Sequence, residues 1–249
     1  MDSLMISAAS GMRARMESLD MLANNLANAA TAGYKSDREM YSLYVAPEAL
    51  DPALAGESPL PSTLPVVERR WTDFSQGNLT PTGNPLDFAL ASEGFFVVNG
   101  PNGPLYTRNG SFRISPTGVL TTHEGYAVRG VDGQVIQTVG SEPLEVSRDG
   151  TVRQGGIVLG QIAVVAPDKA NLEKAGRNYY RAVDPAVTPA LVADAEVHQG
   201  KLEASNVSTP ETAVRLINIL RQFEMLQKAA MLGGEMNRRA IEEVARVNP

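Results

Sequence analysis

The feature of this sequence that most limits its fold is that its two ends resemble each other and differ from its middle. Residues 1–46 and 202–249 carry long apolar stripes at helical spacing, whereas the stretch between them is punctuated by glycine and proline. A helix with an apolar stripe must bury it against another element. Because the middle of the chain separates the two helices, we expect the ends to pair with each other or with other copies of the chain.

The two stripes have the spacing of a coiled coil, in which apolar residues recur at alternating steps of about three and four residues. The N-terminal stripe consists of Met5, Ala9, Met12, Met16, Leu19, Ala23, Leu26 and Ala30, and the C-terminal stripe of Leu216, Ile219, Phe223, Leu226 and Ala230. Further methionines, including Met225, Met231 and Met236, lie in the same helical ends. Methionine repacks readily around different neighbours, which favours an interface over a fixed core.

The end of the first helix carries its own signals. We predict this helix from about residue 3 to residue 28, where Asn24, Asn25 and Asn28 crowd its end and Gly33 follows as a left-handed stop. The asparagine side chains either cap the helix and bridge to neighbouring backbone, or mark a local stop only.

The middle of the chain is typical of β structure. Residues 47–65 hold five prolines and are predicted to form a linker. Residues 66–201 show short apolar runs separated by turn residues at the spacing of a small barrel or sandwich, and the dipeptides at 132–133 and 149–150, both Asp-Gly, are the strongest hairpin signals. We therefore predict an α+β fold, in which the terminal helices pair as a coiled coil around a mostly antiparallel central β domain.

Composition and charge exclude several classes of protein. The net charge is −6, and basic residues cluster only as short pairs, so a nucleic-acid binder is not expected. The chain has no cysteine, which excludes disulfides and thiolate metal sites. No segment approaches the roughly 20 apolar residues of a membrane span, and no basic region followed by a long apolar run marks a cleaved secretory signal.

A catalytic or metal site is not indicated. His123 and His198, the only two histidines, lie far apart and have no His or Cys neighbour at ligand spacing. The sequence contains no phosphate-binding loop, dinucleotide fingerprint or nucleophile elbow. We predict no cofactor and no enzymatic activity; a β-domain glycosidase with two carboxylates distant in sequence stays open as an alternative.

Three segments, in order along the chain, resemble the flagellar rod and hook proteins. They are residues 23–35 (ANNLANAATAGYK), residues 83–90 (GNPLDFAL) with the Gly-Phe-Phe that follows at 94–96, and residues 200–207 (GKLEASNV). Residues 106–112 (YTRNGSF) fit the same family, whereas Ser92 stands where the family often has glycine. Together the segments span essentially the whole chain, and residues 221–224 (RQFE) resemble proximal rod subunits more than distal ones, which are the second choice.

The resemblance implies a structural subunit of the flagellar basal body. Such proteins are exported unfolded through the flagellar type III apparatus without signal cleavage, and they add to a helical tube that spans the periplasm. Their terminal helices pair into an inner coiled-coil layer, their β domains form an outer layer, and the tube carries torque from the motor to the hook. The implied partners are other copies of the chain and other rod and hook subunits.

The stripes and the end of the first helix predict an assembly interface. Its members are Met12, Met16, Leu19, Ala23, Asn24, Asn25, Leu26, Asn28, Gly33, Leu216, Ile219, Phe223 and Leu226. A head-to-tail contact that does not close builds a helical polymer, and stripes that are buried only in the polymer leave the ends poorly ordered in the isolated chain.

Two other functions stay open at this point. One is a binding module, in which a β domain on a self-associating helical stalk presents aromatic residues such as Trp71, Tyr179 and Tyr180 to a glycan or a surface. The other is a hydrolase that cuts cell wall, which lacks any recognisable catalytic constellation in the sequence.

Overall fold

The structure, a computed structural model, describes residues 3–45, 63–140, 142–184 and 186–247. The chain divides into two compact units. Unit 1 contains Met1–Ala27, Asp37–Asp73 and Ser208–Pro249, and unit 2 contains Asn28–Ser36 and Phe74–Val207. The predicted α+β class, with a helix near each end and a mostly antiparallel β domain, is confirmed.

Over its described residues, unit 1 is built from two helices and a two-stranded sheet. The helices are α1 (Ser3–Ala27) and α2 (Thr209–Val247), and the strands are β1 (Asp37–Val45) and β2 (Thr63–Thr72). The two strands pair antiparallel over their whole length, with a bulge after Met40. Within this unit, α1 contacts α2 and both strands.

The observed end of the first helix agrees closely with its prediction, whereas most of the predicted linker lies outside the described residues. The first helix ends at Ala27, one residue before the predicted end, and α2 runs without interruption through Gly233 and Gly234. The linker predicted at 47–65 lies outside the described residues over 47–62, and residues 63–65 begin β2.

Unit 2 is a β domain of short strands. They are β3 (Leu79–Pro81), β4 (Phe88–Leu90), β5 (Phe95–Gly100), β6 (Gly103–Thr107), β7 (Phe112–Ile114), β8 (Leu120–Thr122), β9 (Ala127–Val128), β10 (Leu144–Val146), β11 (Thr151–Gln154), β12 (Ile157–Gln161), β13 (Val164–Ala166), β14 (Leu172–Gly176), β15 (Tyr179–Ala182), β16 (Ala190–Leu191), β17 (Val197–Gln199) and β18 (Lys201–Glu203). A short 3₁₀ turn, Lys169–Asn171, lies between β13 and β14.

The strands of unit 2 form one large sheet and three small ones. The large sheet has the order β14-β15-β6-β5-β9-β8-β7, with β13 pairing β5 and β16. The small sheets are β10-β11-β12, β4-β17 and β3-β18. Both predicted turns form. Gly133 and Gly150 adopt the positive φ angles of tight turns, 80° and 81°, and Gly150 lies in the turn that joins β10 to β11.

The core of unit 2 lies on both faces of β5. Phe96 and Val98 point into a large apolar cluster, while Phe95 and Val97 point into a second cluster that contains Tyr180. A strand that is buried on both faces reads as a continuous apolar run rather than as an alternating one. This explains the unbroken Phe-Phe-Val-Val run in the sequence.

Candidate assembly faces and a buried charge cluster

The buried face of α1 consists of small and polar residues apart from one leucine. Its members are Ala8, Gly11, Ala14, Ser18, Leu22 and Asn25. This face is displaced by one position from the N-terminal stripe, which corresponds to about 100° around a helix. Small side chains let neighbouring elements of unit 1 approach α1 closely, and they leave the larger side chains of the N-terminal stripe at the margin.

The N-terminal stripe is therefore only partly covered. Met12, Leu19 and Leu26 are half-buried, whereas Met16 is 55% exposed and Ala23 is also exposed. The side chain of Met5 lies outside what the structure describes. Within unit 1, this stripe keeps apolar surface available on α1.

The C-terminal stripe forms the covered side of α2. The half-buried positions of this helix are Ala213, Leu216, Ile219, Phe223, Leu226, Ala230 and Gly233. They include every member of the predicted stripe and continue it in both directions at steps of three and four residues. A single covered side is what an amphipathic helix needs when it packs against one neighbouring layer.

A second set of apolar side chains on α2 is exposed, spread over a little under half of the helix circumference, and we call it the exposed stripe. It consists of Val214, Ile217, Leu220, Met225, Met231, Leu232 and Met236, whose side chains are between 41% and 72% exposed. At about 100° per residue, Val214, Met225 and Leu232 point within about 20° of one another, on the side opposite Phe223. Helix α2 is thus apolar on two sides, and unit 1 covers only one of them.

The asparagines at the end of α1 make bonds within the chain. Asn25 is buried, donates through Nδ2 to the backbone oxygen of Asp37 at 2.8 Å, and accepts from the Asp37 amide at 2.9 Å. Asn28 accepts from the backbone and the hydroxyl of Thr31, and Asn24 is exposed. Asn25 thereby bridges the last turn of α1 to the start of β1, as the sequence predicted for an asparagine in this segment.

Gly33 lies where two stretches of backbone cross within unit 2. Its φ angle is +68°, and a Cβ atom placed there would come within 2.3 Å of the Asn109 nitrogen and 2.4 Å of the Arg108 carbonyl carbon. The left-handed conformation predicted for this glycine is present, six residues beyond the end of α1. Only glycine combines that backbone angle with so close an approach.

Three charged side chains of unit 2 form a buried group, which we call the charge cluster. Glu203 accepts from Lys35 Nζ at 2.5 Å through one carboxylate oxygen and from Arg108 at 3.1 Å through the other. The side chains of Glu203 and Lys35 are fully buried, and that of Arg108 is 6% exposed. The Arg108 guanidinium also lies 5.5 Å from the centre of the Phe95 ring. Such a group persists only where the carboxylate is well bonded, because burying charges is costly.

The aromatic residues considered for ligand recognition are mostly unavailable. Tyr179 and Tyr180 are 6% and 1% exposed. Burial raises the pKa of Tyr179, and the hydrogen bond that its hydroxyl donates to Glu124 raises it further. Trp71 is 42% exposed but belongs to unit 1, where it lines an open hollow of about 310 Å³ together with Asp20, Asp37 and Arg70. These positions argue against a glycan-binding face on the β domain.

The two histidines make separate polar contacts with single side chains. His123 Nε2 lies 3.1 Å from Ser111 Oγ, and His198 Nε2 lies 3.1 Å from Glu196 Oε1. Over residues 3–45, 63–140, 142–184 and 186–247, no group of three or more His, Asp or Glu side chains is arranged to hold a metal ion. Neither helix, as far as it is described, is long and apolar enough to cross a membrane.

Comparison with protein families places matches along most of the chain. Residues 5–35 match the flagella basal body rod protein model, residues 89–154 match the D1 domain of the flagellar hook protein FlgE/F/G, and residues 198–243 match the C-terminal region of flagellar basal body rod FlgEFG proteins. The chain is 38% identical to the flagellar basal-body rod protein FlgF of Caulobacter vibrioides over 92% of its own length and 93% of that protein's. It belongs to the flagellar basal-body rod protein family.

The relatives in this family include FlgF and FlgG proteins. The FlgF of Rhizobium meliloti is 32% identical over 87% of each chain, and a FlgG of Buchnera aphidicola is 30% identical over 91% of this chain and 94% of that one. The predicted membership of the rod and hook family is therefore confirmed. The preference for an F-type over a G-type rod protein agrees with the higher identity to the Caulobacter FlgF.

The charge cluster joins three of the four segments that carry the resemblance to the rod family. Lys35 ends the segment 23–35, Arg108 lies in 106–112, and Glu203 lies in 200–207. None of the three was predicted as a site residue. A partial signal was present, since Lys35 and Arg108 are each the one charged residue of their motif, whereas Glu203 lies near Lys201. The sequence alone does not say that the motifs meet.

Proposed function

We propose that this chain is a structural subunit of the flagellar basal-body rod and polymerises through α1 and α2. Membership of the rod protein family supports the structural role. The exposed stripe of α2 supports polymerisation through the terminal helices. Soluble monomers rarely leave a large contiguous apolar surface uncovered, and such surfaces mark interaction sites. In this proposal neighbouring subunits cover the exposed stripe.

The geometry of assembly follows from which faces are free. The C-terminal stripe already packs within unit 1, whereas the exposed stripe and the outer residues Met16 and Ala23 of the N-terminal stripe have apolar surface to offer. A contact between two different faces of neighbouring copies is heterologous, and a heterologous contact that does not close produces a helical tube. The terminal helices would then pair between copies as a coiled-coil inner layer.

The finer parts of the proposal rest on the family. We propose that the rod position is proximal, that the partners are other rod and hook subunits, and that the chain reaches the periplasm-spanning rod through the flagellar type III apparatus without signal cleavage. The role is mechanical: the tube transmits torque to the hook and carries out no chemical reaction.

One substitution on the exposed stripe tests the means of assembly. In a strain that lacks the native gene, Met225→Lys places an ammonium on a side chain that is 61% exposed in the isolated chain. Burying that charge against a neighbour costs several kcal/mol, so complete hook–basal bodies should fall at least about tenfold. The measurement is electron microscopy of purified basal bodies, with mass spectrometry to give the ratio of this chain to other rod proteins.

The matched control is Gln222→Lys, an exposed polar residue three positions earlier on the same helix, which lies between the exposed stripe and the covered side. It adds the same charge outside the exposed stripe and should leave assembly at the wild-type level. Incorporation of the Met225→Lys chain into basal bodies at the wild-type ratio would show that this face is not an assembly contact.

A further inference from the structure

We propose that Glu203 is a positioning residue that holds together every segment through which the chain passes between its two units. The chain passes between them at four points, after residues 27, 36, 73 and 207. On the unit 2 side, those points belong to three segments: 28–36, 74–78 and 201–207. All the bonds that support the proposal lie within unit 2.

The first observation is the set of hydrogen bonds that Glu203 accepts. Besides Lys35 and Arg108, Glu203 Oε1 accepts from the backbone amide of Gly77 at 2.9 Å, and the Glu203 backbone oxygen accepts from the amide of Gly33 at 2.7 Å. One residue therefore bonds to the segment after α1, to the segment after β2 and to the β domain at Arg108. Hydrogen bonds to a charged group contribute more than neutral ones.

The second step is a set of bonds around the carboxylate that joins the same three segments directly. Lys35 Nζ also donates to the backbone oxygen of Ser75 at 2.6 Å. Asn206 Oδ1 accepts from the Ser36 amide at 2.8 Å, and its Nδ2 donates to the Ser75 backbone oxygen at 3.2 Å. Each segment is thus bonded to both of the others, close to the residue where the chain leaves unit 2.

The third step is the balance of charge. The cluster holds two cations and one carboxylate, all at least nine-tenths buried. If the carboxylate is neutralised, Lys35 and Arg108 face each other without a counter-charge, and breaking a buried pair on one side is strongly destabilising. The cluster therefore depends on Glu203 more than on either cation, which makes Glu203 the residue to change.

The test is hydrogen exchange of the full-length chain, measured by mass spectrometry, with Glu203→Gln. The substitution keeps the shape and removes the charge. We expect amide exchange in 28–36, 74–78 and 201–207 to rise roughly tenfold to hundredfold, the change that loss of a charge-assisted hydrogen bond produces. Exchange in β5 and β6, in the core of the same unit, should rise much less than exchange in the three segments.

Glu93→Gln provides the matched control, because it makes the same chemical change in unit 2 on a side chain that is 86% exposed. It should alter none of the three segments. An equal rise of exchange throughout unit 2 in Glu203→Gln would mean that the residue supports general stability only, and no rise in the three segments would mean that it holds nothing together. Either result overturns the proposal.

A second variant keeps the test decisive if Glu203→Gln does not fold. Asn206→Ala removes the side-chain bonds to Ser36 and Ser75 and leaves the buried charges in place. Its exchange should rise severalfold in 34–36 and at residue 75, with β5 unchanged. Wild-type exchange at both places would contradict the proposed joining of the segments.

Discussion

The two units of this chain differ in how much of their apolar surface is buried. In unit 2, Leu120 and Val128 are fully buried, and the large sheet encloses its own core. In unit 1, Met231 and Met236 on α2 are 72% and 71% exposed, although the helix is continuous. The contrast shows that a continuous helix and a completed core are separate properties: α2 forms although the described residues of the chain leave one of its apolar sides exposed.

The difference follows from how each element presents its side chains. A strand has two faces, and layers within one chain can cover both, as happens to β5. A helix of 39 residues presents apolar side chains over much more of its circumference, and the neighbouring helix α1 covers only part of it. In the proposed rod, neighbouring subunits cover the remaining surface.

The largest expected effect comes from a pair of large-to-small substitutions, one in each unit. Phe96 is fully buried and packs edge-on against Phe112 at 5.4 Å, so Phe96→Ala should lower the free energy of unfolding of unit 2 by about 3–5 kcal/mol. Leu232→Ala, at a position 60% exposed in the isolated chain, should change stability by less than about 0.5 kcal/mol. Urea unfolding of both full-length variants, followed by far-ultraviolet circular dichroism, measures the difference. Equal losses would mean that the exposed stripe is already covered in the monomer.

A second test asks whether the segment after α1 belongs structurally to unit 2. Gly33→Ala places a Cβ against backbone atoms in a left-handed conformation, and we expect a loss of about 2–4 kcal/mol. Gly83→Ala is the control, since Gly83 has a similar φ of +73° and open space around its Cβ position. It should cost only about 1–2 kcal/mol, the cost of the backbone conformation itself. If the two variants lose the same stability, the close approach at Gly33 has no energetic weight.

The smallest expected effect is a dependence of the stability of unit 2 on pH through the Glu124 carboxylate. Burial alone would raise the pKa of Glu124, but hydrogen bonds from Tyr179 and Thr122 and from its own backbone outweigh it and lower the pKa below the ordinary value of 4.5. A lowered pKa in the folded state stabilises the fold above that ordinary value, and the contribution is lost as the pH falls through the folded value. Glu124→Gln should therefore cost under about 1 kcal/mol at neutral pH, since the carboxylate is largely exposed.

The readout for Glu124 is the difference in melting temperature between wild type and Glu124→Gln as the pH is lowered. The difference should shrink once the pH is below about 4, where the wild-type carboxylate also becomes protonated. A difference that stays constant down to strongly acidic pH would mean that the Glu124 carboxylate does not titrate as described.

Much of the fold could be predicted from the sequence because its signals are local. Helix α1 and the start of the β domain follow from periodicity and turn residues, and the turns at Gly133 and Gly150 follow from Asp-Gly dipeptides. The covered side of α2 matches the C-terminal stripe because a stripe of large side chains at steps of three and four residues leaves little choice of face.

The parts that the sequence did not reveal depend on contacts between distant residues. The N-terminal stripe has larger side chains than the face that is buried on α1, but close packing selects small residues such as Gly11, Ala14 and Ser18, and periodicity cannot weigh that preference. The exposed stripe was represented only by its methionines. The charge cluster was missed because Lys35 and Glu203 are far apart in sequence, and nothing local to either residue identifies its partner.

The separation of Lys35 and Glu203 also sets the order of events when the chain first folds. The two residues lie 168 positions apart, and a chain that emerges with its N-terminal end first presents Lys35 long before its partner. Closing so large a loop is slow, because its entropic cost precedes the contacts that compensate for it. Until residue 203 is available, the segment after α1 lacks the carboxylate that Lys35 binds, so the charge cluster forms only after about four-fifths of these 249 residues.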